Sequence, residues 1–252
     1  MISSALSRRN LIALGALSLP SLTGCNFVRE YNKNILDSAG KPWSYQSGHG
    51  YERFEVRAGD HWRGDTSERS EIAVHRYMQF GKPVWQSFSM LIEAGPPSEA
   101  PWSIFGQWHA FKDPWDEYVS PPIALLLKDG KFAIVTASDK HIQQTHKNYP
   151  PFVTRYAFTD VAKNAWHDFV YRIVFDPAGS GSLHVWHNGQ AIVAQDGLPI
   201  GYNDIIGPFF KYGVYRGPGD PNPLAARYAN VEIGYDSLAS RITSPKPVPG
   251  RP

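Results

Sequence analysis

From Tyr51 to Tyr235 apolar and polar residues alternate in run after run, and that period of two commits the chain to strands. Glu52-Arg53-Phe54-Glu55-Val56-Arg57 shows it cleanly, and it returns in Val84–Ile92, Trp166–Phe175 and Arg227–Tyr235. Successive side chains on a strand point to opposite faces, so each run offers one face to a core and the other to solvent. Two hairpins carry matching turn chemistry. Asp129-Gly130 separates Leu125–Leu127 from Phe132–Thr136, and Asn188-Gly189 separates Ser182–Trp186 from Ala191–Ala194. Such pairs supply the positive φ angles of a type I′ turn. Helix signals are confined to Leu36–Gly40 and Asp160–Ala165, and the 22 glycines and 21 prolines fall mostly between strands. The pattern predicts an all-β fold, an antiparallel β-sandwich of the jelly-roll (concanavalin- or lectin-like) kind over residues 47–240, with an open groove for a ligand. At 252 residues, one such domain accounts for the chain.

The ends read differently. Ser7-Arg8-Arg9-Asn10-Leu11-Ile12 sets paired arginines ahead of the apolar stretch Leu11–Leu22, shorter than the roughly 20 residues of a membrane span. The pair resembles a twin-arginine export motif, and Leu22-Thr23-Gly24-Cys25 resembles a bacterial lipobox whose cysteine takes the lipid. Cys25 is the only cysteine, so it makes no internal disulfide. Residues 1–24 are therefore expected to be an export signal, and residues 25–46 a lipidated tether and first strand. The protein is expected to sit on a bacterial membrane through Cys25, in the periplasm or at the cell surface. Residues 241–252 form a proline-rich tail expected to stay extended and unpacked. Loss of residues 1–24 removes Arg8 and Arg9 and no acid, leaving 23 basic against 23 acidic residues. A neutral body lacks the basic field that captures nucleic acid, so an acidic ligand has to be met locally, by what is expected to be a monomer.

Three distant segments supply groups for such a ligand. Glu68-Arg69-Ser70-Glu71 puts Arg69 and Glu71 on one strand face, Gln107-Trp108-His109 does so for Gln107 and His109, and Lys211-Tyr212-Gly213-Val214-Tyr215-Arg216 for Lys211, Gly213 and Tyr215. Brought together, these groups suit β-elimination at a uronate. The C5 proton beside an ionised carboxylate is a weak acid, so the carboxylate must be neutralised as charge moves onto it. Arg69 offers a planar fork that matches a carboxylate, and Gln107 donates without adding a negative charge. His109 is then the expected base, and Tyr215 the expected acid for the leaving O4, with Lys211 beside it. Singly, each has a plainer reading: Arg69 and Glu71 as a solvated pair, Gln107 and His109 as satisfied polar groups at a sheet edge, Tyr215 as a ring packed with its hydroxyl out. Gly213 inside a strand permits close approach of a ligand or another backbone.

Asp60, Glu68–Glu71, Gln107–His109 and Lys211–Arg216, in this order within an all-β pattern, resemble the polysaccharide lyases of the heparin lyase I and glucuronan lyase type, with jelly-roll alginate lyases more distant. The likeness spans roughly Tyr51 to Tyr235. It implies Arg69 and Gln107 as carboxylate neutralisers, His109 as general base and Tyr215 as general acid with Lys211 beside it, and Glu71, Trp108 and Arg216 as substrate contacts. Phe209 stands where many alginate lyases have tyrosine, which draws the likeness towards the heparin and glucuronan type. His49 is a reserve base, and Tyr215 serves as both acid and base if the elimination is syn.

The remaining clusters carry less. Asp113, Asp116 and Glu117 are oxygen ligands of a kind calcium accepts, but their loop reads as solvated, so no metal or cofactor is expected. His141, His146, His184 and His187 show no zinc spacing. Trp62, Trp102, Trp108, Trp115 and Tyr118 are candidates for stacking on sugar rings. The expected function is cleavage of a uronate-containing acidic polysaccharide, glucuronan-like or another exopolysaccharide, to a 4,5-unsaturated end. The alternative is a non-catalytic glycan-binding surface lipoprotein. A glycoside hydrolase would need a facing carboxylate pair that no strand supplies.

Overall fold

The computed structural model describes residues 34–250 except 118–119, 129–130, 146, 148–149 and 159–161. Along the chain run β1 (Asn34–Ser38), β2 (Tyr45–Gly48), β3 (Tyr51–Val56), β4 (Glu68–Val74), β5 (Pro83–Ile92), β6 (Ser103–His109), β7 (Ile123–Lys128) and β8 (Lys131–Thr136). They are followed by β9 (Ser138–Asp139), β10 (Val153–Phe158), β11 (His167–Val174), β12 (Asp176–His187), β13 (Gln190–Tyr202), β14 (Phe209–Arg216), β15 (Leu224–Gly234) and a short helix α1 (Ser240–Thr243). One sheet has the order β1-β4-β14-β6-β7-β8-β10, the other β2-β3-β15-β5-β11-β12-β13-β9. Among the described residues only the two-residue β9 pairs in parallel, with β13. The expected antiparallel sandwich is the observed one.

The core lies between the sheets and is built by the alternation seen in the sequence. In β14, Phe210, Tyr212 and Val214 turn inward, and Phe54, Phe88, Trp108, Tyr171 and Tyr228 meet them. Phe54 packs edge-on to Tyr228, with ring centres 5.6 Å apart, a favoured aromatic geometry. Asn188 and Gly189 take φ of 48° and 81°, the predicted type I′ turn between β12 and β13. The Asp129-Gly130 turn lies outside the described residues, but its strands pair up to Lys128 and Lys131.

Three expectations of local structure fail. Leu36–Ser38, offered as a helical turn, belongs to β1, which pairs with β4 from Asn34↔Val74 to Ser38↔Ser70 and so satisfies that strand's outer hydrogen bonds. Residues 162–165 form no helix; Asn164 sits in a turn at φ 54°. The tail is packed, not free: Val248 is buried, the Trp166 indole donates to the Pro249 carbonyl at 2.9 Å, and Lys246 pairs with Glu232 at 2.9 Å. The export signal and Cys25 lie outside the described residues, among which no helix is long and apolar enough to cross a membrane.

Candidate active site

Strands β4, β14 and β6 lie side by side, so the three segments form one surface on the outer face of the seven-stranded sheet. Arg69 is opposite Tyr215, Glu71 opposite Gly213, Lys211 opposite Gln107, and Phe209 opposite His109. Gly213 has φ 139°, and a Cβ there would lie 2.3 Å from the Ser70 carbonyl oxygen and 2.7 Å from the Glu71 Cα. The close approach that glycine allows is that of the β4 backbone. The register of β14 against β6 also shifts between Tyr212 and Tyr215, a bulge that gives β14 one extra residue.

Charge is closely matched on this surface. Lys211 Nζ lies 2.9 Å from Asp37 Oδ2 and 3.3 Å from Glu71 Oε2, and Gln107 Nε2 donates to Glu71 Oε1 at 2.8 Å. Arg69 Nε is 3.7 Å from Glu71 Oε2, and its Nη2 is 3.5 Å from Asp65 Oδ2. The guanidinium carbon lies over the Tyr215 ring, 3.9 Å from its centre, and the buried Nε has no hydrogen-bond partner. Buried ions persist only where opposite charge and hydrogen bonds compensate their lost hydration, and Asp37 and Glu71 provide that for Lys211. The Trp62 ring caps the cluster, 5.2 Å from the Arg69 guanidinium and 5.9 Å from Lys211 Nζ. Trp102 stands edge-on to Tyr215 at 4.8 Å, so two of the five proposed stacking residues do flank the site. Trp115 is exposed on the loop after β6, and Tyr118 lies outside the described residues.

His109 Nδ1 is 2.7 Å from the Ala110 carbonyl, which can only accept, so Nδ1 carries the proton and Nε2 keeps its lone pair. Burial and then the nearby Lys211 push its pKa down to about 4, and the imidazole is neutral at pH 7. The charges of Arg69 and Glu71 also act on it, so the ring lies within reach of the cluster beside Tyr215, although its strand partner Phe209 is six residues from Tyr215 along β14. A second imidazole was missed. His61 bridges to Glu68, beside Arg69, with Nδ1 3.3 Å from the Ser67 carbonyl, while Ser67 Oγ lies 3.4 Å from the Tyr215 hydroxyl. Asp60-His61-Trp62 sits directly before the arginine strand, and reading that hairpin as part of the site would have found it. Asp37, on a strand read as helix, was missed too.

Three of the expected substrate contacts are corrected. Trp108 is fully buried and packs its ring on Tyr171 at 4.6 Å and Phe210 at 5.0 Å, because it alternates with Gln107 and His109 and so must face the core. Arg216 alternates with Tyr215 in the same way. Fully buried, it pairs with Glu68 and with Asp220 at 2.9 Å and closes one end of the sandwich. Glu71 is wholly enclosed and binds side chains of the site itself. The reserve base His49 sits in the β2–β3 turn of the other sheet.

Beyond His109 the chain carries a second buried acidic group. Asp113, Asp116 and Asp204, all buried, bring one carboxylate oxygen each to within 4.8 Å of the others, so the loop expected to be solvated is not. Asp116 accepts the main-chain N–H of Asp113 at 3.1 Å and of Gln144 at 2.8 Å, and Asp113 accepts that of Ile205 at 3.2 Å. Both oxygens of Asp204 are without a partner, and burial, then the Asp113 and Asp116 charges, push its pKa up to about 8. These three carboxylates fit a hard divalent cation such as calcium. Glu117 is not in the group. His184 pairs with Asp196 and His187 with His167, and His146 lies outside the described residues.

The fold is a jelly-roll sandwich with an arginine, a glutamine and a tyrosine on adjacent strands of one outer face. The family model for polysaccharide lyases matches residues 37–236, and the chain belongs to that family: it is a lyase. Among solved structures it is similar to the endo-β-1,4-glucuronan lyase of the fungus Trichoderma reesei, with a TM-score of 0.62 and 18% identity over 84% of this chain and 92% of that one. The alginate lyase A1-II′ of polysaccharide lyase family 7 follows at 0.59 and 13%, over 83% and 97%. An alginate lyase from Pseudomonas aeruginosa gives 0.53 and 20%, over 82% and 99%. No curated protein matches at the sequence level.

Proposed function

We propose that this lyase cleaves a uronate-containing acidic polysaccharide by β-elimination, leaving a 4,5-unsaturated uronate at the new end. The observation that carries the reading is the register that sets Arg69 across from Tyr215 and Lys211 across from Gln107 on one outer face, so that a guanidinium, an amide and a phenol lie side by side for a uronate. In this mechanism a base removes the C5 proton, the C–H electrons form the C4=C5 bond, the C4–O4 bond breaks, and an acid protonates the departing O4. Arg69 takes up the charge that grows on the carboxylate, with the free N–H of Gln107. Tyr215 is the acid.

The base is an imidazole or, for a syn elimination, Tyr215 itself. His109 is the expected imidazole, two residues from Gln107 on the same face and with its Nε2 lone pair free; His61, across from Glu68, is the alternative. Of the two lyase classes named by the structural neighbours, Phe209 in place of tyrosine favours the glucuronan side, with heparin-like polymers next. A groove along this face, export, and anchoring through a lipid on Cys25 complete the proposal.

The test is a panel of glucuronan, heparin, heparan sulfate, hyaluronan, alginate and bacterial exopolysaccharides, read by ultraviolet absorbance of the unsaturated product. Glucuronan-like polymers are expected to give it, and Tyr215→Phe to abolish it. Saturable binding with no unsaturated product from any polymer would instead identify a glycan-binding protein. His109→Ala is expected to lower kcat about 10²–10⁴-fold and His61→Ala much less; the reverse ranking moves the base to His61.

A further inference from the structure

Lys211 is the most enclosed cation near the chemistry, with a side chain 4% exposed, so it is poorly placed to touch a polymer. Its ammonium lies between Asp37 and Glu71. Glu71 is the one carboxylate on the same face and strand as Arg69, two residues away, where nothing in the backbone would stop it from closing on that guanidinium. It does not close: Oε1 is taken by Gln107, while Oε2 lies nearer Lys211, at 3.3 Å, than Arg69 Nε, at 3.7 Å.

We propose that Asp37 and Lys211 form a positioning pair that occupies Glu71 and so keeps Arg69, whose Nη2 already meets Asp65 at 3.5 Å, from closing on a second internal carboxylate, which leaves its remaining N–H groups for the substrate. Asp37 acts at one remove. Pairing at 2.9 Å across the β1 edge, it fixes Lys211 over Glu71. Without Lys211, the uncompensated charge of Glu71 would draw in the nearest remaining cation, Arg69, and an internal ion pair would compete with the substrate for the same donors. Lys211 is thus an internal counter-ion, and the strand that begins the described chain contributes to substrate recognition without touching substrate. The inference rests on the proposal that Arg69 receives a uronate carboxylate.

The test compares steady-state kinetics of the full chain and four variants on the polymer that wild type cleaves best, with a melting temperature for each. Lys211→Met is expected to raise KM at least tenfold, and Asp37→Asn severalfold, with Asp37→Glu restoring most of the loss. The deciding variant is Lys211→Met/Glu71→Gln, which removes the competing carboxylate together with the lysine and relieves one of the two buried charges, Glu71 and Asp37, that the single variant leaves unpaired. It is expected to recover at least tenfold in kcat/KM over Lys211→Met. A double variant no better than the single one, at equal or higher melting temperature, overturns the inference, as does a wild-type KM for Asp37→Asn. If wild type makes no unsaturated product from any polymer, the lyase mechanism itself fails, and that result is distinct from either.

Discussion

The buried carboxylates around Arg69 and those around Asp204 are balanced in opposite ways. Glu71 and Asp37 are held by Lys211 and Gln107, both from the chain itself. Asp113 and Asp116 receive only main-chain N–H groups, Asp204 receives nothing, and no ion pair reaches any of the three among the described residues. The first cluster satisfies its own acids and has donors left over, so it is suited to an incoming anion. The second has three acids and no positive charge, so it is suited to an incoming cation. Two loops connect them, since residues 110–116 leave β6 just after His109 and residues 203–208 enter β14 just before Phe209, its partner.

The strongest way to break this contrast is to remove the surplus donor. Arg69→Ala is expected to lower kcat/KM on the order of a thousandfold, at the upper end of what one transition-state donor contributes. Arg69→Lys keeps the charge but loses the planar fork, and should recover little of it. Activity within tenfold of wild type for Arg69→Ala would mean that the matched cluster is structural and the chemistry lies elsewhere.

Next comes a buried ion pair that lacks any surplus. Arg216→Met leaves Glu68 and Asp220 without their cation in the interior and should cost about 3 kcal/mol or more in denaturant unfolding. Activity at temperatures where the variant stays folded should fall much less than in Arg69→Ala. Equal losses in both assays would remove the distinction between a substrate-facing arginine and a structural one.

These two arginines also show what was legible in the sequence. Strand alternation alone put Arg69, Gln107, His109, Lys211 and Tyr215 on one face, and the sheet order confirms it. The same alternation turns Trp108 and Arg216 inward, so treating them as substrate contacts set motif resemblance against strand geometry, and geometry prevailed. Other features had no local signal. Asp37 meets Lys211 only because β1 covers an edge of β4, and the pairing of the Asp113 loop with Asp204 is a fact of loop closure between distant segments. Periodicity reports faces, not registers, so it places His109 on the surface of Tyr215 without fixing how β6 pairs with β14.

A smaller effect sharpens the other side of the contrast. Calcium at about 100 times its dissociation constant stabilises a one-site protein by about 2.7 kcal/mol, which for a chain of this size is a rise in Tm of about 5–10 °C. Asp204→Asn should lose this increment while melting no lower than wild type in chelator, because the substitution relieves repulsion from Asp113 and Asp116. An unchanged wild-type Tm in calcium, magnesium and chelator would show that the acidic group holds no cation.

The smallest effect is a pH dependence in cation-free buffer, and its sign follows from opposed groups. Asp204, raised from 3.8 to about 8, keeps its proton in the folded state while the unfolded chain has lost it, so stability falls as pH rises between those values. His109 and His187, both lowered from 6.5 to about 4, do the reverse: the unfolded chain binds their protons first, so stability rises with pH across that window. From about pH 4 to 6.5 the two histidines outweigh Asp204 and stability rises; from there to about pH 8 Asp204 dominates and it falls. Wild type in chelator should therefore lose at most about 2 kcal/mol between pH 6.5 and 8, since one proton contributes about 1.4 kcal/mol per unit. Asp204→Asn should flatten that limb, and calcium should flatten it in wild type by favouring the ionised carboxylate. A limb that persists in Asp204→Asn would assign the titration to another group and leave the acidic cluster without its defining imbalance.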